Sequence, residues 1–514
     1  MNASPYSPFQ QRMVTLSIML ATVIQALDGT IANVALPHMQ GSLSASQDQI
    51  SWVLTSFIVA SAITMPLTGW MCDRFGRKQI FLLSIAGFTL SSALCGLAQS
   101  LLQIVLARVL QGVFGAALVP LSQAVLLDIN PRERHGQAMA VWGMGVMVGP
   151  ILGPTLGGWL TDAAGWRWVF FINLPIGVLA WYGVWKYIIA DPAARRMRFD
   201  LFGFASLSLA IGALQMLLDR GELNDWFAAQ ETWFEAGLLL FTLAAFVIHT
   251  ASRPAGQSFL DYRLLQNRNY ITGLLFIFIV GMVLFATRAL TPSLLQGLLG
   301  YPAATAGLVT APSGIGTMIS MLLVGRLIGR VDLRLLIGSG FAITAFSLWQ
   351  MSGYALQLAP HDIIWPGVIQ GFGLGLVFVP LSSATFATLA PQMRAEGTSI
   401  YSLIRNIGSS IGIAMVQTLL TRNTQIAHAG LTERITLANP ALDGQALFLQ
   451  QQAEATSAAA TLLNTEITRQ AALIAYLDDF RLMFLITLAI LPLLLLLRPQ
   501  PRTANAPVDA AAME

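Results

Sequence analysis

A carboxylate held inside hydrocarbon can carry a proton across a membrane, and Asp28 stands in such a place, in the apolar run Leu27-Asp-Gly-Thr-Ile-Ala-Asn-Val-Ala-Leu-Pro37. An ionisable side chain in a bilayer costs about 3 kcal/mol on insertion scales, so it is normally retained only where it lines a polar pathway. The pattern marks Asp28 as the one carboxylate deep within a membrane helix and as the proton carrier. Arg108 and Gln111, three residues apart in another apolar stretch, share one helical face. Arg108 either tunes the proton affinity of Asp28, directly or through water, or forms a purely structural ion pair; the sequence leaves both open. Arg288 and Arg405 are two further arginines in apolar surroundings, and Ser399, Ser402, Asn406 and Ser409 align with Arg405 along one stretch. A substrate cavity is expected to be lined by Gln25, Asn33, Gln111, Arg288, Gln370, Ser402, Arg405 and Asn406. The arginine excess favours anionic or weakly acidic hydrophobic compounds.

The elements that must hold these groups are apolar segments. The chain has 514 residues, of which 55% are hydrophobic and only 10% charged, too little polar surface to coat a soluble globule of that size. Segments of about 20 residues, long enough to cross roughly 30 Å of hydrocarbon, are predicted at 13–36, 50–71, 80–99, 101–128, 135–160, 168–189, 200–219, 232–250, 270–295, 305–329, 333–354, 363–389, 397–420 and 480–498. These are fourteen transmembrane helices in an all-α integral membrane fold. With the N-terminus inside, 19 of the 28 Lys and Arg residues fall at cytoplasmic ends and loops, 6 outside and 3 within helices. The positive-inside rule then puts both termini in the cytoplasm. The net charge of +3 reflects those loops and gives no sign of a nucleic-acid partner. Cys72 and Cys95 make neither a disulfide framework nor a metal site.

An internal repeat organises the chain. Gly69-Trp-Met-Cys-Asp-Arg-Phe-Gly-Arg-Lys78 returns as Gly325-Arg-Leu-Ile-Gly-Arg-Val-Asp-Leu-Arg334, and Val109-Leu-Gln-Gly112 returns as Val368-Ile-Gln-Gly371. Segments 1–6 therefore correspond to segments 9–14, with two segments inserted. The expected organisation is an N-terminal six-helix bundle (1–190), two inserted helices (191–264), a C-terminal six-helix bundle (265–498) that includes an extracytoplasmic loop (421–479), and a cytoplasmic tail (499–514). Two pseudo-symmetric halves imply a site at their interface, reached alternately from either side.

Two motifs have mechanical readings. In the first repeated loop Asp73, Arg74, Arg77 and Lys78 lie between and beside Gly69 and Gly76; Asp73 and Arg77 are expected to pair with Asp128 as an inner-gate latch, against the plainer reading of a positive-inside anchor. Segment 5 carries Gly145, Gly149, Gly153 and Gly157 at intervals of four, with Pro150 and Pro154 beside them. Small residues at this spacing let another helix pack closely. Phe57, Met65, Phe114, Met144, Met147, Phe278, Phe285 and Phe378 could supply an adaptable apolar wall.

The chain resembles the major facilitator superfamily, in particular its 14-helix drug:proton antiporter branch and most closely the EmrB-type multidrug exporters. The resemblance is carried by Leu27–Pro37, the Gly69–Lys78 loop, Arg108-Val-Leu-Gln-Gly112, the Gly- and Pro-rich segment 5, Trp168-Val-Phe-Phe-Ile-Asn-Leu-Pro-Ile-Gly177, and Leu218-Asp-Arg-Gly221 with Asp225-Trp226. It implies efflux of small hydrophobic compounds from a bacterial inner membrane, gating by the Gly69–Lys78 loop, and a leak-suppressing role for the glycine motif. It also implies a periplasmic adaptor and an outer-membrane channel as partners, with 421–479 as the docking surface. That segment has turn signals at Asn439-Pro440 and Asp443-Gly444 and apolar residues at helical spacing elsewhere.

The energy source follows by elimination. Lys78 and Lys186 are the only lysines and neither ends a phosphate-binding loop, while His-Glu-x-x-His is absent and Gly408-Ser-Ser-Ile-Gly412, inside an apolar helical segment, is no nucleophile elbow. No enzymatic activity and no cofactor are expected, leaving an ion gradient. One proton falling through 100 mV releases about 2.3 kcal/mol, enough for roughly a 40-fold substrate gradient. An importer of one metabolite or nutrient and a non-transporting sensor or scaffold remain as alternatives.

Overall fold

The computed structural model describes residues 6–131, 134–189, 199–254, 258–434 and 455–497. Each of the fourteen expected segments coincides with helix. In chain order they are α1 (Pro8–Ser42), α2 (Gln47–Thr64 and, after a bend, Leu67–Phe75), α3 (Arg77–Leu97), α4 (Leu101–Gly115 and Leu118–Ile129), α5 (His135–Ala164) and α6 (Trp168–Phe171 and Asn173–Tyr187). The inserted pair is α7 (Leu201–Arg220) and α8 (Gln230–Ser252). There follow α9 (Arg268–Ser293), α10 (Ala303–Thr310 and Pro312–Leu327), α11 (Leu333–Met351), α12 (Pro360–Phe386), α13 (Arg394–Arg434) and α14 (Ala455–Ala489). Among the described residues, twelve helices are long and apolar enough to cross a membrane, or thirteen when the two parts of α2, bent by 56°, count as one. The 19-residue α11 is the expected segment outside that set.

Local chemistry starts and stops these helices. Ser7 with Gln10 and Ser46 with Gln49 form capping boxes on α1 and α2, and Ser100 and Asn267 cap α4 and α9. Pro66, which has no N–H to donate, lies at the bend of α2. The α2–α3 turn needs a positive φ, supplied by Gly76 at 87°; the corresponding α10–α11 turn uses Gly329 at 89°.

The repeat is structural as well as textual. Gly112 lets α4 approach the backbone of Phe57 on α2, and its counterpart Gly371 lets α12 approach the backbone of Ser313 on α10. Gly69 brings the end of α2 against Glu396 at the start of α13, while Gly325 brings the end of α10 against Ala140 near the start of α5. These are symmetry-equivalent helix pairs, because 2, 4, 5 and 13 map onto 10, 12, 13 and 5 under an eight-helix shift. Each six-helix set packs chiefly within itself, and α5 with α10, and α4 with α13, join the two.

The inserted pair is tied to both sets. Asp219 accepts from Thr55 of α2, Gln215 Oε1 accepts from Ser410 of α13 at 2.8 Å, and the Trp226 indole donates to Thr418 of α13 at 3.0 Å. At the other end, Asp200 caps α7 through the Gly203 N–H and also takes the Phe259 N–H and His249 Nε2, at 3.1, 3.1 and 2.9 Å.

The last helices bear on two expectations. α13 and α14 run 41 and 35 residues and extend into 421–479 from either side, helical there as its apolar spacing predicts, and are joined by His428 and Asn464 at 3.0 Å. The Asn439-Pro440 and Asp443-Gly444 turns, like the tail, lie outside the described residues. Asp28 is also not the only carboxylate buried inside a long apolar helix: Asp479 of α14 is 1% exposed. The charged run Asp478-Asp479-Phe480-Arg481 ends the hydropathy signal there, but the helix continues and turns Asp479 inward.

Burial opposes ionisation of Asp200, but the two backbone N–H donors and His249 outweigh it and hold its carboxyl below the usual range. A depressed folded pKa gives stability that is present above the unfolded pKa and lost as pH falls through the folded one. Asp200→Ala is expected to cost about 1–3 kcal/mol at neutral pH, read as a lowered thermal midpoint of the detergent-solubilised protein. The gap between variant and wild type should narrow on acidification.

Candidate functional site

The polar centre of the first six-helix set is assembled from five helices. Asp28 on α1 is fully buried, and Arg108 of α4 donates to its Oδ2 through Nη1 at 2.5 Å. Oδ1 accepts from Gln111 Nε2 at 2.8 Å and from Asn173 Nδ2 of α6 at 3.0 Å. Arg108 is itself fixed by donation to the Val53 carbonyl of α2 at 2.9 Å and to Gln111 Oε1 at 2.7 Å, with the Phe57 ring 4.3 Å from its guanidinium carbon. Ser92 of α3 accepts from Asn173 at 3.0 Å. Both carboxylate oxygens are therefore occupied by donors, which is the condition for keeping a charge in a low-dielectric interior. The contact between Asp28 and Arg108 is direct, with no water needed between them.

Gln111, expected on a cavity wall, is fully buried within this cluster; its three-residue spacing from Arg108 turns both side chains onto Asp28. Asn173 and Ser92 had no assigned role in the sequence reading. Asn173 lay in plain view in the Trp168–Gly177 motif, but an Asn in an apolar run carries no label for the helix it faces.

The glycine stripe of α5 is the surface on which α1 lies. Methyl groups added at Gly145, Gly149, Gly153 and Gly157 would strike Met19, the Ala26 backbone, Thr30 and Ile31 respectively. Thr30 also donates to the Gly149 carbonyl at 3.1 Å. The stripe thus presses on the turns of α1 that flank Asp28. The helix runs through Pro150 and Pro154, whose side chains lie outside those described. Another face of α5 meets the opposite set, with Gly143 against Met321 of α10 and Gly136 against Ile328 just after it.

A charged cluster closes the end of the bundle where α2 turns into α3. Asp128 at the end of α4 pairs with Arg77, as expected, and also with Arg394 of α13 at 2.6 Å. Arg394 further donates to the Leu127 carbonyl at 3.0 Å. The correction is that the second partner of Asp128 is a guanidinium of the opposite half and not a neighbour in the loop; Asp73 lies close enough to Glu396 to act on it electrostatically. Glu396 seats on Gly69 and accepts from the Asp261 N–H at 2.7 Å, attaching the linker from the inserted helices to the same cluster. Thr398 donates to the Pro120 carbonyl across the halves at 3.0 Å. The whole runs Leu118–Leu127 and Gly373–Phe386 are buried at this end. Arg394 and Glu396 escape sequence reasoning because they look like ordinary charges at a helix start.

The other expected cavity residues differ in their surroundings. Arg288 reaches across to the thioether of Met147 on α5 at 3.8 Å. Arg405 is half-buried and its Nε has no partner, and the same holds for the hydroxyl of buried Ser402. Asn406 and Gln25 are half-buried, and Asn33 is exposed. Gln370 instead donates to Thr287 at 3.1 Å, holding α12 to α9 within one half. Of the apolar wall, Phe378 stacks on Trp142 of α5 across the halves at 6.0 Å. Among the described residues, no group of three or more His, Cys, Asp and Glu side chains could hold a metal ion.

Residues 18–413 match the family model described as Major Facilitator Superfamily. The fatty acid resistance protein FarB of Neisseria gonorrhoeae is 35% identical over 487 residues, covering 95% of this chain and 96% of its own. The multidrug export protein EmrB of Escherichia coli K12 is 37% identical over 450 residues, covering 87% of each. Among solved structures, the human organic anion transporter MFSD10 (TETRAN) superposes with a TM-score of 0.61 at 16% identity, over 94% of this chain and all of its own, a likeness of fold.

The charged cluster can be opened selectively. With spin labels on Arg74→Cys and Gln392→Cys, Asp128→Asn should widen the distance distribution relative to the Asp128 parent, since Arg77 and Arg394 both lose the carboxylate that joins them. An unchanged distribution would show that the ion pairs do not hold this end together.

Proposed function

This chain belongs to the major facilitator superfamily, and from that membership we propose that it is a proton-coupled exporter of small hydrophobic toxic compounds, similar to the EmrB-type pumps, working by alternating access. The observation that carries this reading is the Asp28 carboxylate, fully buried and fully donated to by Arg108, Gln111 and Asn173, on a helix pressed against the α5 glycine stripe. A proton arriving on Asp28 weakens its hold on Arg108; loss of the proton restores it. Because α1 and α5 are in contact beside Asp28 and α5 also meets α10, a change at Asp28 has a packed route to the interface between the halves.

The role assigned to the other residues follows. Arg77, Asp128, Arg394, Glu396 and the Gly69 approach form the inner gate, closed in the conformation described. Fourteen spans with both termini in the cytoplasm of a bacterial inner membrane agree with the distribution of Lys and Arg. The extended ends of α13 and α14 are the surface offered to a periplasmic adaptor, which an outer-membrane channel would complete. Arg288 and Arg405, lacking carboxylate partners among the described residues, give the cavity a preference for anionic amphiphiles. The similarity to a fatty acid resistance protein supports that preference.

Inverted membrane vesicles with an imposed pH gradient test direction and coupling together. Wild-type protein is expected to accumulate drug, and Asp28→Asn to lose gradient-driven uptake by at least about tenfold, the effect of removing some 1.4 kcal/mol of driving force; a variant that pumps like its parent would sink the mechanism. For charge preference, Arg288→Ala should weaken transport of fatty-acid-like anions several-fold more than of lipophilic cations. Equal losses for both classes would contradict the assignment.

A further inference from the structure

Between the inserted helices α7 and α8 lies a cavity of about 650 Å³ whose lining has two unlike parts. Its floor is apolar, formed by Ile63 of α2, Leu209 and Met216 of α7, and Leu238 of α8. Its rim is charged, with Arg220 at the end of α7 and Glu231 and Glu235 on the first turns of α8. Arg220 and Glu231 pair at 3.2 Å. Glu235, one turn deeper and half-buried, makes no hydrogen bond or ion pair among the described residues but has Arg220 and Glu231 within electrostatic reach.

Depth is marked by aromatics. Phe227, Trp233 and Phe234 cluster at this end of α8, exposed by 49%, 63% and 72%, and aromatic side chains gather at the level of lipid headgroups. The floor then faces acyl chains while the rim faces headgroups. Both helices are long and apolar enough to span a membrane.

We propose that this groove is a binding site for a phospholipid with a primary-ammonium headgroup, its acyl chain on the Ile63–Met216–Leu238 floor, its ammonium on Glu235 and Glu231, and its phosphate on Arg220. The rim has both signs, matching a zwitterion. An anionic lipid would set its phosphate against two carboxylates without supplying a cation. A choline headgroup brings a cation that cannot donate hydrogen bonds to Glu235. The site is independent of the exporter assignment. Its occupancy bears on movement because α7 is bonded to α2 on one side and α13 on the other.

The test uses the full-length protein in nanodiscs of phosphatidylethanolamine, phosphatidylcholine or phosphatidylglycerol, followed by gentle detergent extraction and native mass spectrometry of retained lipid. Wild type should retain phosphatidylethanolamine at least about fivefold over the other two, and Glu235→Gln should lose that preference while keeping its elution profile and thermal midpoint. Leu238→Trp, which fills the floor without touching the rim, should lose retained lipid of every class. Equal retention of the three lipids by wild type would overturn the proposal. So would an unchanged preference in Glu235→Gln, or displacement of all lipid by a single-chain alkylamine at equimolar level, which would mark a site for cations alone.

Discussion

A carboxylate and a guanidinium that share a dehydrated interior must satisfy each other and every remaining lone pair, and the first six helices are arranged around that requirement. Asp28 cannot be kept in hydrocarbon by Arg108 alone, since one oxygen would remain bare; Gln111 and Asn173 supply the missing donors. Arg108 in turn needs the Val53 carbonyl and the Phe57 face. Each partner, donor or acceptor, comes from a fixed place on α4, α6 or α2, so the polar centre dictates how those helices rotate about their axes. Apolar packing alone would tolerate many such rotations.

Hydropathy was enough to find helix at all fourteen expected segments, of which twelve or thirteen among the described residues have the length and composition that membrane crossing imposes. The repeat was equally legible: Gly112 and Gly371 occupy matching words in the text and matching close approaches between helices. The glycine stripe disclosed that something packs on α5, but not that its partner is the helix bearing Asp28. Contacts between distant segments are where reading stopped. Arg394 and Glu396 are ordinary charges until α13 is brought to the end of α4, and Asn173 is an ordinary polar residue until α6 meets α1. The limits of α13 and α14 were hidden for another reason: beyond the bilayer a helix no longer needs apolar residues, so hydropathy falls while the hydrogen-bond ladder continues.

The two halves touch in different ways along their height. At the latch end the contact is charged and reaches from one half to the other through single atoms of Asp128, whose two oxygens serve guanidinia from different halves. Along α5 and α10 it is steric, with glycines receiving Ile and Met side chains. Ion pairs can be broken and replaced by water at little net cost where they are partly exposed, whereas close steric packing persists only at near-fixed separation. The charged end is thus suited to open and shut, and the α5–α10 seam to act as the axis.

The attachment of α7 to both α2 and α13 sets a geometric limit on such a swing. Thr55, Ser410 and Thr418 are stitches in a single strap laid over the cleft, and a strap anchored on both banks fixes how far they can part before a stitch gives way. The two extra helices therefore act as a stop on the span of the cleft at that end, and so on the bulk of what can pass through it.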